Sequence, residues 1–290
     1  MIGDLRIGIS GWRYAPWRGV FYPRGLTHKR ELEYASRQLP TIEINGSFYS
    51  LQTPRRYASW RDATPDDFVF AVKAPQYITH RLRLKNIDAA LANFLASGVL
   101  ELRGKLGPIL WQFPPQLPYL HERFEAFFAQ LPRDTGAASE IATRNTLAPE
   151  RASVEIDRRR ALRHAVEIRH PSFADPAFIA LLRRYRIALV VADTAGKWPL
   201  LEDLTADFVY LRLHGDRELY VSGYDDKALS RWARRIRAWR AGRQVADAHR
   251  ASPRDGRARS HRDVYVYFDN DVKVRAPFDA QTLMRKLGAL

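Results

Sequence analysis

Eight short runs rich in β-branched and aromatic residues recur along this chain, each followed by a segment with helical apolar spacing or a polar connection. The runs are Leu5–Ser10, Thr41–Asn45, Phe68–Lys73, Pro108–Phe113, Ala165–Arg169, Ala188–Ala192, Phe208–Leu213 and Val264–Phe268. Helical spacing falls between them at Lys29–Gln38, Asn86–Leu100, His121–Gln130, Pro176–Tyr185 and Leu229–Arg240, and Ala280–Leu287 closes the chain. Strand and helix in alternation argue for parallel strands joined by crossovers. Eight such units in 290 residues point to a closed (β/α)8 TIM barrel, an α/β fold that commonly takes about 250 residues as a single domain. A doubly wound open sheet would carry a glycine fingerprint after its first strand, and Ser10-Gly11-Trp12-Arg13 is not one.

Two stretches break the rhythm. Residues 133–163 and 241–262 are polar, Arg-rich and poor in large apolar side chains, and read as insertions in connections between elements. Composition narrows the chemistry further. The chain has no cysteine, which removes disulfides, thiolate metal sites and a cysteine nucleophile. No basic region followed by a long apolar stretch opens the chain, and no apolar run reaches the roughly 18 residues a bilayer crossing needs. The expectation is a cytoplasmic protein with no membrane partner. Lys and Arg number 47 against 32 Asp and Glu, a net charge of +15 that favours anionic partners. A GC-rich coding sequence would leave the same Arg-heavy bias.

Several runs together resemble one family. The matching pieces begin with Ile7-Gly8-Ile9-Ser10-Gly11-Trp12 and Trp17-Arg18-Gly19-Val20-Phe21-Tyr22-Pro23, followed by Ile42-Glu43-Ile44-Asn45 with Phe48-Tyr49. Phe70-Ala71-Val72-Lys73-Ala74-Pro75 with Thr79-His80 and Leu110-Trp111-Gln112-Phe113-Pro114-Pro115 come next. The later pieces are Val166-Glu167-Ile168-Arg169-His170-Pro171-Ser172, Arg212-Leu213-His214-Gly215 with Tyr220 and Tyr224, and Tyr267-Phe268-Asp269-Asn270-Asp271. In this order they resemble the YecE-like family, the domain of unknown function numbered 72 (DUF72). The resemblance implies a TIM-type barrel and brings no established reaction with it. Phe173 stands where that family often has Trp, and the two Arg-rich stretches look peculiar to this chain.

Side-chain parity says where chemistry would sit. Alternate residues of a barrel strand face the axis and the helices. Ile42 and Ile44 oppose Glu43 and Asn45; Val166 and Ile168 oppose Glu167 and Arg169; Val209, Leu211 and Leu213 oppose Tyr210, Arg212 and His214. The apolar sets must cover the helices, so the polar sets face the axis. Lys73, Gln112, Asp193 and Asn270 fall at comparable late positions in their strands. Active sites of this architecture lie at the strand C-termini. Glu43, Glu167 and His214 are therefore the candidate acid, base and assisting groups. Lys73, Arg169, Arg212, Asp193, Asn270, Asn45, Gln112, Tyr49, Tyr220 and Tyr224 are the candidate substrate contacts.

Carboxylates about 5 Å apart would suit a retaining glycosidase and a wider gap an inverting one; strands two and five lie far apart on the ring, which favours the wider gap or an unrelated role. A salt-bridge network fixing barrel register would leave the same residues. A divalent metal among Glu43, Glu167, Asp193, His80, His170 and His214 is a further option, but no His-x-His pair or His-Glu-x-x-His helix supports it. The helix Leu229–Arg240 puts Leu229, Trp232, Ile236 and Trp239 on a barrel-facing stripe, leaving Arg231, Arg234, Arg235 and Arg237 to solvent or to phosphates. The expected activity is hydrolase-like, on a small anionic (phosphorylated or nucleic-acid) or sugar-containing substrate. Nucleic-acid binding and a non-catalytic barrel that holds a metabolite or protein partner are the alternatives. Oligomeric state is not readable from these residues.

Overall fold

The computed structural model describes residues 2–289. Its strands are β1 (Leu5–Ser10), β2 (Thr41–Ile44), β3 (Val69–Lys73), β4 (Leu106–Gln112), β5 (His164–Glu167), β6 (Ala188–Asp193), β7 (Phe208–Leu213) and β8 (Asp263–Phe268). They close in sequence order into a barrel, every neighbouring pair parallel. The helices are α1 (Glu31–Gln38), α2 (Gly46–Tyr49), α3 (Pro54–Asp62), α4 (Asp88–Ala96), α5 (His121–Gln130), α6 (Thr135–Ala142), α7 (Pro176–Tyr185), α8 (Asp226–Arg240) and α9 (Ala276–Leu287). The expected TIM barrel is the fold.

Three helical details differ from the sequence reading. Helix α3 was not expected, although Thr53 caps it by accepting from the Arg56 N–H and Pro54 opens its first turn. Helix α6 sits inside the first Arg-rich stretch, capped by Asp134, and packs on α4. The helix expected over Asn86–Leu100 ends at Ala96, because Gly98 takes φ of +103° and the chain turns into a 3-10 segment. Both Arg-rich stretches connect a helix to the next strand, so they lie at the N-terminal end of the barrel, away from the strand C-termini.

Two apolar layers hold the barrel. The larger fills the space between strands and helices, and includes the α8 stripe Leu229, Trp232, Ile236 and Trp239, all buried as its spacing predicts. The smaller lies inside the ring, where Ala71, Ala165, Ala188 and Ala192 leave room for Phe208, Tyr210, Tyr265 and Tyr267 from β7 and β8. Small residues on one side and large ones on the other keep the interior at native density. The Tyr267 hydroxyl reaches past β1 to Thr41 Oγ1 on β2 at 2.9 Å. It crosses at Gly8, its partner in register on β1, where a Cβ would stand 1.8 Å from the Thr41 carbonyl oxygen. We expect Gly8→Ala to cost about 2–3 kcal/mol by overpacking, read as a lower urea midpoint at unchanged m-value; an unchanged midpoint would show that the β1–β2 contact is slack.

Candidate active site at the barrel mouth

The last inward-facing residues of the strands meet around one guanidinium. Arg212 of β7 is wholly buried. Its Nε and Nη2 bond Glu43 of β2 at 3.1 and 2.8 Å, and its Nη1 bonds Glu167 of β5 at 2.7 Å. Nη2 also bonds Asp269, just past β8, at 2.9 Å and Ser10 of β1 at 3.0 Å. Three carboxylates from three parts of the ring thus share one cation. A planar five-donor fork is the side chain that can bridge such a set.

Glu43 is saturated. Ser10 donates to its Oε1 at 2.5 Å, Tyr210 to its Oε2 at 2.6 Å, and Arg212 takes the rest. These contacts use all of the lone-pair sites a carboxylate offers. Glu167 accepts from Gln112 at 2.8 Å, from Arg169 at 3.0 Å and from Arg212. Burial pushes the Glu167 carboxyl up, but Arg212, Arg169, His214 and Lys73 together outweigh it and hold it well below the usual range. Asp269 is likewise burdened by burial, yet Arg212 and His214 bring it down to about 2. His214 Nδ1 approaches Asp269 to 3.0 Å without the alignment of a hydrogen bond, and its Nε2 lies 3.3 Å from Arg212.

Lys73 of β3 is the exception in this ring. It is 7% exposed, and among the described residues its ammonium has neither a hydrogen-bond nor an ion-pair partner. It rests 4.1 Å from the centroid of the Phe48 ring. Burial and then the Arg212 charge lower it to about 8, against the upward pull of Glu43, Glu167 and Asp269. His80, beyond β3, is lowered to about 4 by burial and by the Lys73 and Arg169 charges, so it is neutral at pH 7. Arg169 stacks 3.8 Å over Trp198, and its Nη2 reaches the Tyr220 hydroxyl at 3.4 Å. Tyr220 holds a left-handed φ of +64° with its ring edge-on to His214, a strained backbone of the kind that gathers at functional sites.

Some expected members are elsewhere. Asp193 points outward to α8, where Trp232 Nε1 donates to it at 3.3 Å. The inward residues of β6 are Ala188, Val190 and Ala192, so Asp193 has the opposite parity. Asn270 also points outward, donating to Ser222 O at 3.0 Å and Asp279 at 2.9 Å. Parity counted from Tyr265 and Tyr267 selects Asp269 instead, which the sequence reading passed over together with Ser10 and Trp198. Tyr224 is buried against Phe268 and accepts from the Gly215 N–H at 3.1 Å, a loop anchor outside the ring. Asn45 does join, donating to Ser10 Oγ at 2.8 Å while its own carbonyl oxygen is buried without a partner.

Tyr49 is 72% exposed on α2 and stands at the edge of a groove of about 440 Å³ beside the mouth. Trp12, Arg13, Tyr14, Asn45, Arg56 and Trp60 also line this groove. Aromatic faces with two guanidiniums suit a ring or sugar that carries negative charge. The arginines of α8 are otherwise engaged: Arg235, expected on the solvent face, is buried on Glu202 at 2.7 Å, Arg231 pairs with Asp216 and Arg234 with Asp247. Among the described residues no three His, Asp or Glu side chains are placed to hold a metal ion. The centre of the carboxylate cluster is filled by Arg212. Among the described residues no helix is long and apolar enough to cross a membrane.

Comparison with known proteins bears on the fold and the lineage. UPF0759 protein YecE of Escherichia coli (strain K12) is 31% identical over 114 residues, which cover 39% of this chain and 38% of that protein. UPF0759 protein YunF of Bacillus subtilis (strain 168) is 31% identical over 116 residues, 38% of this chain and 40% of that one. The match therefore spans about two fifths of these curated relatives. The crystal structure of a DUF72 family protein from Thermotoga maritima superposes with a TM-score of 0.72 at 22% identity, covering 98% of this chain and 99% of that one. A DUF72 family protein from Enterococcus faecalis gives 0.70 at 17% identity, over 98% and 95%. At such identities the likeness speaks to the fold. Residues 6–290 match the family model described as "Protein of unknown function DUF72", and the chain belongs to that family.

Proposed function

We propose that this barrel is a hydrolase-like enzyme that takes a small anionic, sugar-containing substrate at the strand C-termini, with Lys73 as its general base. The observation that carries this reading is the Lys73 ammonium, sunk in the mouth with no partner among the described residues beyond an aromatic face. A buried cation kept only for stability would be paired, and every other ionised group of the ring is. Arg169, steadied by Trp198 and Tyr220, holds the substrate's negative group. Tyr49 and the neighbouring groove receive the sugar or ring. Lys73 as the free amine takes a proton from water, the hydroxide attacks the electrophilic centre, and the resulting ammonium returns the proton to the leaving oxygen. Glu43, Glu167 and Asp269 act through Arg212 to fix this geometry, and His214 buttresses Asp269. We place the activity in the cytoplasm, where such metabolites are held.

The pH profile tests the assignment. With its pKa brought down to about 8, Lys73 is free amine in roughly a tenth of the molecules at pH 7. Turnover of a responsive substrate, found by screening phosphate and carboxylate esters of sugars, should rise about tenfold from pH 7 to a plateau above 9. A profile that falls over this range would exclude a free-amine base. The Arg-rich segments give no support to nucleic acid as substrate of this site, since they lie at the far end of the barrel.

A further inference from the structure

At the N-terminal end of the barrel, the connection from α8 to β8 folds back over α7 and encloses a hollow of about 430 Å³. Five guanidiniums line it, from Arg183, Arg243, Arg250, Arg257 and Arg262, against one carboxylate, Asp255. Asp255 is taken by Arg250. Arg262 is 3% exposed and, among the described residues, donates only to main-chain carbonyls, those of Gly242 at 2.6 Å, Arg257 at 2.9 Å and Ala206 at 3.4 Å. Arg183 donates to the carbonyls of Arg254 at 3.0 Å and Leu204 at 3.4 Å, and to the Ser252 hydroxyl at 3.4 Å. The nearest other carboxylates are committed elsewhere: Asp203 accepts from the Ala251 and Ser252 N–H groups, and Asp207 faces Arg163. Among the described residues, Arg243 and Arg257 have no side-chain partner. Burial draws Arg183 and Arg262 below the usual arginine range, and the nearby charges of Asp203 and Asp255 on Arg183 and of Asp207 on Arg262 do not offset it.

The hollow therefore holds a surplus of four positive charges in a small recess. Carbonyls and the Ser252 hydroxyl satisfy the hydrogen bonds of buried Arg262 and half-buried Arg183 without cancelling their charge, and an anion would do so. The lining has no aromatic side chain, so it offers nothing on which a base or sugar could stack. Its shape is a recess, whereas duplex nucleic acid is met by a stripe of cations along a face. We infer that this hollow is a binding site for a condensed phosphate, a di- or triphosphate group whose closely spaced charges match the clustered guanidiniums. Arg257 and Arg243, exposed at its edge, close on the anion, while Arg262 and Arg183 form its floor. The site stands apart from the barrel mouth and is independent of the reading given above for Lys73.

Calorimetric titration of the full chain with sodium tripolyphosphate, pyrophosphate and orthophosphate tests it, with a duplex of about 20 base pairs as comparator. Tripolyphosphate should bind with one site per chain, more tightly than orthophosphate, and should raise Tm. The double variant Arg243→Ala/Arg257→Ala changes only exposed side chains and should keep the wild-type Tm without ligand while binding at least about tenfold more weakly. Lys73→Met should leave tripolyphosphate affinity unchanged, which separates this site from the mouth. The proposal is overturned by an absence of binding, by affinity undiminished in the double variant, by orthophosphate binding as tightly as tripolyphosphate, or by the duplex binding more tightly than either.

Discussion

Arg212→Met is expected to leave the protein largely unfolded at pH 7.5. The substitution removes the cation shared by Glu43, Glu167 and Asp269, leaving the buried Glu43 with no ion-pair partner among the described residues, Glu167 with Arg169 and Asp269 with His214. Breaking one buried pair by removing a partner costs about 3–5 kcal/mol, and here three acceptors lose the same donor. Domain stability is only about 5–15 kcal/mol, so the loss consumes most of it. The pH dependence should also change sign. In the wild type Asp269 and Glu167 titrate below their unfolded values, so their stabilising contribution is present above about pH 4 and is lost as pH falls towards 2. In the variant a buried carboxylate has lost its counter-charge and protonation relieves the cost of burying it, so stability is recovered on the acid side and lost as pH rises. Urea melts at pH 5 and 7.5 read both effects. Wild-type stability in Arg212→Met at pH 7.5 would mean that the cluster does not hold the ring together.

The opposite pattern is expected of Lys73→Met. Methionine approximates the lysine stem and can keep contact with Phe48, and the change removes a buried charge that has no partner. The fold should persist, with Tm equal to or above the wild type. Turnover should fall about 10³-fold, the middle of the range for loss of a positioned acid–base group. Lys73→Arg is an informative companion, since a guanidinium stays protonated and cannot serve as a base; it too should be inactive. A stable Lys73→Met protein with full turnover would remove Lys73 from the chemistry and leave the ring as scaffold. Together the two variants separate what Arg212 does for the fold from what Lys73 does in the site.

The helices show what local sequence carries and what it leaves open. Helix α8 was legible because Leu229, Trp232, Ile236 and Trp239 repeat at helical spacing and are strongly apolar. Helix α6 was not, since a short alanine-rich turn with one arginine-rich flank has too weak a stripe to stand out, and its packing on α4 is what makes it a helix. The same limit explains Asp193 and Asn270. Their late strand positions were visible, but a one-residue difference in parity turns a side chain from the axis to the helices, and the register of β6 and β8 is set by pairing with their neighbours.

Alternation of runs, the order of the strands and the inward parity of Glu43, Glu167 and Arg212 follow from the chain alone, because hydrophobic period is a local property that survives without any knowledge of partners. Barrel closure decided the rest. It brought carboxylates from separate parts of the ring onto Arg212, left Lys73 with no counter-ion among the described residues, and sent the Arg-rich connections to the far end, where the second of them encloses a separate hollow. Those outcomes depend on which residues meet across the ring at sequence separations of tens to hundreds, and no pattern within one element encodes such a meeting.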